Sequence, residues 1–306
     1  MNTRNALIIC GPTCSGKSSL ALKYALKYNG AIINADSMQV YMGIDILSSS
    51  PSDCDKRAVP HFLYNFLGIS ENYNVGRYLN DIVVVLEECK KRNLLPIITG
   101  GTGLYINALV NGISEMPEVL LAARQEIDAL YSKGGRALLY QELESKDPKV
   151  AAKINPSDTQ RIERALGIFL SSSKSILDYQ SNKLRSVLSD YNIQTIYLRP
   201  ERNLLYQNAE LRFDSMIKNG AVEQLSKLLE SNIKLEGGGT KVLGFKHILL
   251  YLKGQISISE ASIEAKQDTR NYAKRQYTWF NNQISWPHNT ISSCSKDFEI
   301  CFDNSK

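Results

Sequence analysis

Residues Gly11-Pro12-Thr13-Cys14-Ser15-Gly16-Lys17-Ser18 follow the spacing Gly-x-x-x-x-Gly-Lys-Ser/Thr of a phosphate-binding P-loop. The glycines let backbone N–H groups curl around phosphate oxygens, and a helix starting near Lys17 adds the positive end of its dipole. Lys17 supplies a point charge, and the Ser18 hydroxyl suits a Mg²⁺ ion carried on the phosphates. Turns of this kind bind nucleotides, ATP among them, but the pattern leaves open which phosphate is held. Nucleotide hydrolases add a second apolar strand ending in an aspartate that holds Mg²⁺. Here residues 94–98 run instead into Thr99-Gly100-Gly101-Thr102-Gly103. The strand-terminal acid is Asp36, at the carboxyl end of a parallel strand, where open α/β sheets seat their ligands. It suits either a metal or a general base acting on a second substrate. No His or Cys is placed as a nucleophile beside Lys17, Asp36 and the hydroxyls of Ser18 and Thr102. That set favours direct displacement over a covalent intermediate.

The elements that must position these groups read as alternating strands and helices. Residues 6–10, 31–35, 94–99 and 195–198 are short apolar strands, and residues 18–27 and 75–92 have helical periodicity. The alternation predicts an α/β fold, a doubly wound P-loop NTPase-like parallel sheet. Residues 117–189 are rich in Ala, Leu, Glu, Lys and Arg at helical spacing, with breaks at Gly134-Gly135, Pro148 and Pro156. They read as a helical domain inserted into a core of residues 1–116 and 190–306. Further helices are expected at 204–219, 221–230, 247–252 and 259–282, with a flexible break at Gly237-Gly238-Gly239 and no periodicity beyond Trp286.

Composition excludes several classes. Apolar residues make up 43% and charged residues 22% of 306, as in soluble globular proteins. A chain of this length buries enough surface to fold without disulfides or metal. Cys10, Cys14, Cys54, Cys89, Cys294 and Cys301 form no Cys-x-x-Cys pair and read as reduced thiols of a cytoplasmic protein. The apolar run at residues 6–10 is far too short for a membrane span or secretory segment. The net charge of +5 is spread along the chain, without a basic tail. It neither demands nor excludes a polyanionic partner.

Several blocks together carry a resemblance. Gly-Pro-Thr-Cys-Ser-Gly-Lys-Ser is followed by Ala-Asp-Ser-Met-Gln-Val-Tyr ending at Tyr41, then Gly-Gly-Thr-Gly-Leu-Tyr ending at Tyr105. Asp-Thr-Gln-Arg-Ile-Glu-Arg-Ala-Leu (from Asp158), Leu-Arg-Phe-Asp-Ser-Met (from Leu211) and Tyr-Ala-Lys-Arg-Gln-Tyr-Thr-Trp-Phe (from Tyr272) continue the series. In this order they resemble the bacterial tRNA dimethylallyltransferases, or isopentenyl transferases. The resemblance implies that the exocyclic N6 of adenosine 37 in a tRNA anticodon loop displaces diphosphate from dimethylallyl diphosphate. The P-loop would then hold a diphosphate, in keeping with the missing second acidic strand. Asp36 would act as base, while Lys17, Ser18 with Mg²⁺, Thr102 and Arg212 would stabilise the leaving group. The chain departs from the family's usual Gly-Thr-Ala-Lys-Pro at Leu47-Ser48-Ser49-Ser50-Pro51, which removes a lysine, and has Phe62 where a second histidine is usual.

The same resemblance assigns tRNA contact to Asp36, Ser37, Met38, Gln39, Thr102, Arg124, Gln160, Arg161, Ile162, Glu163 and Arg164. By spacing alone, Gln160 and Arg164 share one helix face that could equally be solvated. Lys266, Arg270 and Lys274 recur every fourth residue, with Arg275 beside them. Such a stripe suits a phosphate backbone, and the alternative is an ordinary exposed face. His61 reads as a polar structural residue in a loop. The expected enzyme is a monomer with Mg²⁺ as cofactor. Its rivals are a P-loop kinase of a nucleoside or small metabolite and a non-catalytic tRNA-binding module.

Overall fold

The computed structural model describes residues 4–180, 185–231 and 233–293; Cys294 and Cys301 lie outside them. Strand β1 (Arg4–Cys10) leads through the P-loop into helix α1 (Lys17–Lys27), followed by β2 (Gly30–Asn34), α2 (Asp45–Ser48), α3 (Asp53–Ala58) and β3 (His61–Phe62). Next come α4 (Val75–Lys91), β4 (Leu95–Gly100) and α5 (Gly103–Asn111). Four helices follow: α6 (Leu121–Lys146), α7 (Pro148–Ala151), α8 (Thr159–Ser172) and α9 (Ile176–Gln180). The chain then returns through β5 (Tyr191–Leu198), α10 (Arg202–Lys218), α11 (Ala221–Glu230), α12 (Phe245–Leu252), α13 (Ile258–Gln283) and β6 (Asn289–Ile291).

Among the described residues, six strands lie in one parallel sheet, in the order β3-β2-β4-β1-β5-β6. Side chains alternate across a strand, so β1 feeds two cores. Leu7 and Ile9 pack with Leu20, Ala21 and Tyr24 of α1, whereas Ile8 and Cys10 pack with Tyr78 and Ile82 of α4 and Ile106 of α5. Burial on both faces explains why these strands read as continuous apolar runs. Phe280 of α13 joins the second core. A third core joins Val40, Ile44 and Leu47 to Phe213, Leu225 and Phe245 from α10, α11 and α12. The expected α/β P-loop architecture is therefore present.

The chain divides into two compact units, residues 1–110 with 187–306, and residues 111–186. The second unit has its own core, including Ile127, Leu139, Leu143, Val150, Ile162 and Leu166. Within it, Gly135 (φ 61°, ψ −156°) interrupts α6, Pro148 opens α7, and Asp158 caps α8 by accepting the Arg161 N–H at 3.2 Å.

Three expectations are corrected. His61 and Phe62 form edge strand β3 against Ile32 and Ile33, rather than a loop. The segment beyond Trp286 supplies β6, which pairs with β5, and the Trp286 indole donates to Thr195 Oγ1 at 3.2 Å. Gly237-Gly238-Gly239 is not a loose break. The N–H groups of Gly238 and Gly239 donate to the carbonyls of Glu71 (3.0 Å) and Ile69 (3.1 Å), so the segment docks backbone against backbone. Among the described residues no helix is long and apolar enough to cross a membrane.

Candidate active site

The phosphate loop leaves β1 at the centre of the sheet. Gly11 has φ 151°, and a Cβ there would stand 2.4 Å from the carbonyl oxygen of Leu198, so a side chain would push β1 and β5 apart. Cys14 (φ 64°) and Gly16 (φ 91°) both adopt left-handed conformations that curl the loop. Gly16 caps α1 without a side-chain bond, which leaves the first-turn amides of α1 to an anion. Two residues from distant helices brace the loop. Asn208 of α10 donates to the Cys14 carbonyl at 3.3 Å, and Gln276 of α13 accepts from the Thr13 N–H at 2.7 Å.

Lys17 Nζ donates to the carbonyl of Pro12 at 2.7 Å. Burial pushes its pKa down to about 8, with Asp36 opposing the shift and Arg212 adding to it. Ser15 Oγ in the loop and Thr99 Oγ1 at the end of β4 are buried without a hydrogen-bond partner. Arg212 forms no ion pair among the described residues.

Asp36 lies two residues beyond β2, held by Asn34. The buried Asn34 side chain accepts the Asp36 N–H at 2.8 Å and donates to the carbonyls of Asp36 and Leu63, each at 2.9 Å. Asp36 Oδ1 accepts the Met38 N–H at 2.9 Å. Lys17, Ser18, Asp36, Arg212 and Tyr272 line a single cleft of about 550 Å³ at this edge of the sheet, with His61 also on its wall. Burial, with the Asp36 charge as the next cause, raises the Tyr272 phenol above its ordinary range, so it stays neutral. Burial also lowers the His61 pKa, while its Nδ1 lies 2.9 Å from the Val59 carbonyl.

The expected P-loop and tRNA residues separate on inspection. Thr13, Cys14, Gly16, Lys17 and Ser18 face the cleft, whereas Gly11, Pro12 and Ser15 do not line it. Met38 and Gln39 reach its wall; Ser37 and Thr102 do not. Thr102 Oγ1 accepts the Ser37 N–H at 2.9 Å and donates to Ser37 Oγ at 3.3 Å, so it braces the segment after Asp36. Both amide hydrogens of Gln39 are engaged by the carbonyls of Ser48 (3.1 Å) and Ser49 (2.7 Å), leaving only its oxygen to read a base.

In residues 111–186, Gln160, Arg161, Arg164 and Arg124 are exposed and Glu163 is half-buried. Arg161 pairs with Asp158 at 3.2 Å. Partial burial lowers the Arg164 pKa and the nearby Arg124 guanidinium lowers it further, so two like charges face each other. Ile162 is a correction. It is 0% exposed in the core of this unit, because an apolar residue beside two exposed cations falls on the inner helix face.

The cationic stripe of α13 is a second correction. Lys266 pairs with Asp214 at 2.6 Å and Arg270 with Glu210, both acids on α10. Their charges are largely spent within the fold. Lys274 and Arg275 remain exposed, the latter over the Tyr272 ring at 5.6 Å. Asn34, Asn208 and Gln276 are site residues that motif reading missed. Gln276 carried a signal, since it falls on the buried side of α13 with Ala265, Thr269 and Ala273. A polar residue on that face must find partners.

Comparison with known proteins agrees with this geometry. A family model described as IPP transferase matches residues 39–283, and one described as isopentenyl transferase matches residues 4–60. The tRNA dimethylallyltransferase of Rickettsia felis is 42% identical over 284 residues, covering 93% of this chain and 92% of its own length. That of Rickettsia canadensis is 40% identical, covering 98% and 94%. Among solved structures, the full-length tRNA isopentenylpyrophosphate transferase of Bacillus halodurans superimposes with a TM-score of 0.66 at 31% identity, covering 94% of this chain and 90% of that one. A eukaryotic dimethylallyltransferase acting on tRNA gives a TM-score of 0.74 at 28% identity, covering 90% and 70%. With a P-loop cleft lined by Lys17, Asp36 and Arg212, and so matched along most of its length, the chain belongs to the IPP transferase family.

Proposed function

We propose that this enzyme transfers a dimethylallyl group from dimethylallyl diphosphate to the N6 of adenosine 37 in the tRNA anticodon loop, releasing diphosphate. The observation that carries the reading is the single cleft that Asp36, Lys17, Ser18 and Arg212 line together. The P-loop amides, Lys17 and the fork of Arg212 receive the diphosphate and stabilise the negative charge that grows as the C–O bond breaks. The N6 lone pair is delocalised into the adenine ring and nucleophilic only when its proton is accepted. Asp36 takes that proton as the N6–C bond forms. To enter the cleft, the adenine must leave its stack in the loop.

Hard oxygen donors on the cleft suit Mg²⁺ here: the Ser18 hydroxyl and the unpartnered hydroxyl of Thr99. No three His, Cys, Asp or Glu side chains gather as a ligand set among the described residues, so the ion would be held mainly on the diphosphate. When bound, it supplies further charge neutralisation for the leaving group.

For tRNA, the reading uses Asp36, Met38 and Gln39 at the cleft, Lys274 and Arg275 on α13, and Arg124, Gln160, Arg161, Glu163 and Arg164 of the inserted unit. The enzyme would act as a monomer in the cytoplasm. A P-loop kinase is less well served, since β4 ends in Thr99 and Gly100 with no carboxylate for a nucleotide-borne metal. Incubation with labelled dimethylallyl diphosphate, Mg²⁺ and unmodified tRNA tests the reading. Label in tRNA is expected; phosphate transfer from ATP without label in tRNA would overturn it.

A further inference from the structure

Gln276 lies on α13 beside the exposed cations Lys274 and Arg275, yet is only 6% exposed. Its amide bonds in two directions. Oε1 accepts the Thr13 N–H at 2.7 Å, and Nε2 donates to the Gly101 carbonyl at 2.8 Å. Thr13 belongs to the phosphate loop. Gly101 precedes Thr102, whose hydroxyl accepts the N–H of Ser37, the neighbour of Asp36. One side chain therefore ties the loop that receives the diphosphate to the chain of contacts that sets the base. The approach is close enough to dictate a neighbour, since a Cβ on Gly101 would stand 2.3 Å from Nε2. Only a neutral amide of this length offers both an acceptor and a donor; glutamate keeps the acceptor alone, and leucine has neither.

We propose that Gln276 is a positioning residue for the transfer reaction, fixing the spacing between the donor loop and the Thr102–Ser37–Asp36 chain. The proposal rests on the transfer reading above and adds to it a structural link from the phosphate loop to the base. Displacement requires the two reacting atoms at near-attack distance, and a misplacement of about 1 Å costs on the order of 100-fold in rate. Sharing α13 with Lys274 and Arg275, the same residue connects the helix offered to tRNA with the loop offered to the donor.

Gln276→Glu and Gln276→Leu test the link, one with an added charge and one without. Donor-site affinity is read as inhibition by inorganic pyrophosphate, turnover as kcat with saturating tRNA, and tRNA affinity by filter binding, after circular dichroism shows each variant folded. Gln276→Glu keeps the Thr13 acceptor but loses the Gly101 bond and sets a carboxylate beside the phosphate loop, so kcat should fall about tenfold or more and pyrophosphate inhibition should weaken through charge repulsion. Gln276→Leu, which adds no charge, should weaken pyrophosphate inhibition by about tenfold and lower kcat by about 100-fold, with tRNA affinity unchanged in both. Unchanged kcat in either variant, or losses that track tRNA affinity, would overturn the proposal. Should Gln276→Leu not fold, kcat and tRNA affinity of Gln276→Glu decide alone. Should the wild type itself fail to transfer, the function reading falls separately. Calorimetric pyrophosphate binding to the three proteins would still decide the Thr13 arm.

Discussion

Lys17 gives the phosphate site a pH dependence whose sign follows from its surroundings. Burial lowers its pKa from 10.5 to about 8. The ammonium that meets the donor is therefore present below that value and lost above it. About nine-tenths of the free enzyme carries the charge near pH 7, and about one-tenth near pH 9, a tenfold change. Bound diphosphate stabilises the ammonium, so kcat at saturating donor should hold to higher pH than kcat/KM for the donor. The assay is kcat/KM for dimethylallyl diphosphate at saturating tRNA, from about pH 6.5 to about pH 9.5, where a descending limb of unit slope should set in near pH 8. Lys17→Arg keeps its charge throughout this range, so its activity should be lower but free of that limb. A flat wild-type profile, or an identical limb in Lys17→Arg, would refute the assignment of the limb to Lys17.

Other outcomes follow from the same structure. Asp36→Ala should lower kcat by on the order of 10²–10⁴ while leaving tRNA affinity within a few-fold; parallel loss of both would sink the base assignment. Neutralising Lys274 and Arg275 should flatten the salt dependence of tRNA binding by about one log–log unit per lost phosphate contact. Arg270→Ala should leave that slope unchanged, since Glu210 already engages the guanidinium; a slope change as large as that of Lys274→Ala would contradict the pairing. Ile162→Ala should destabilise by about 2–5 kcal/mol in denaturant melts without altering tRNA affinity in the absence of denaturant.

Local signals account for what was legible beforehand. Glycine spacing reveals the P-loop, and apolar runs bounded by polar residues reveal β1, β2 and β4, because those strands are buried on both faces. Asp36 was visible by its place just after such a run. Strands β3 and β6, of two and three residues, are too short to show a period; they exist because β2 and β5 present open edges. The α13 stripe misled for a different reason. Its fourfold spacing is local, but the acids that neutralise Lys266 and Arg270 sit on α10, 60 residues away in the case of Glu210. Gly237-Gly238-Gly239 looked loose by composition, yet small residues also allow close backbone docking, and here the partner is the segment from Ile69 to Glu71. Gln276 and Asn34 acquire meaning only through loops that the fold brings to them.

The central claim is that this cleft joins a dimethylallyl group to one adenine nitrogen, with Asp36 as the proton acceptor. Its most direct measurement is mass spectrometry of nuclease fragments from unmodified tRNA incubated with dimethylallyl diphosphate, Mg²⁺ and either wild-type or Asp36→Asn enzyme. The wild type should add one dimethylallyl group, confined to the fragment bearing adenosine 37 and retained on its N6, and Asp36→Asn should add almost none. A modified fragment elsewhere in the tRNA, or full modification by Asp36→Asn, would contradict the account.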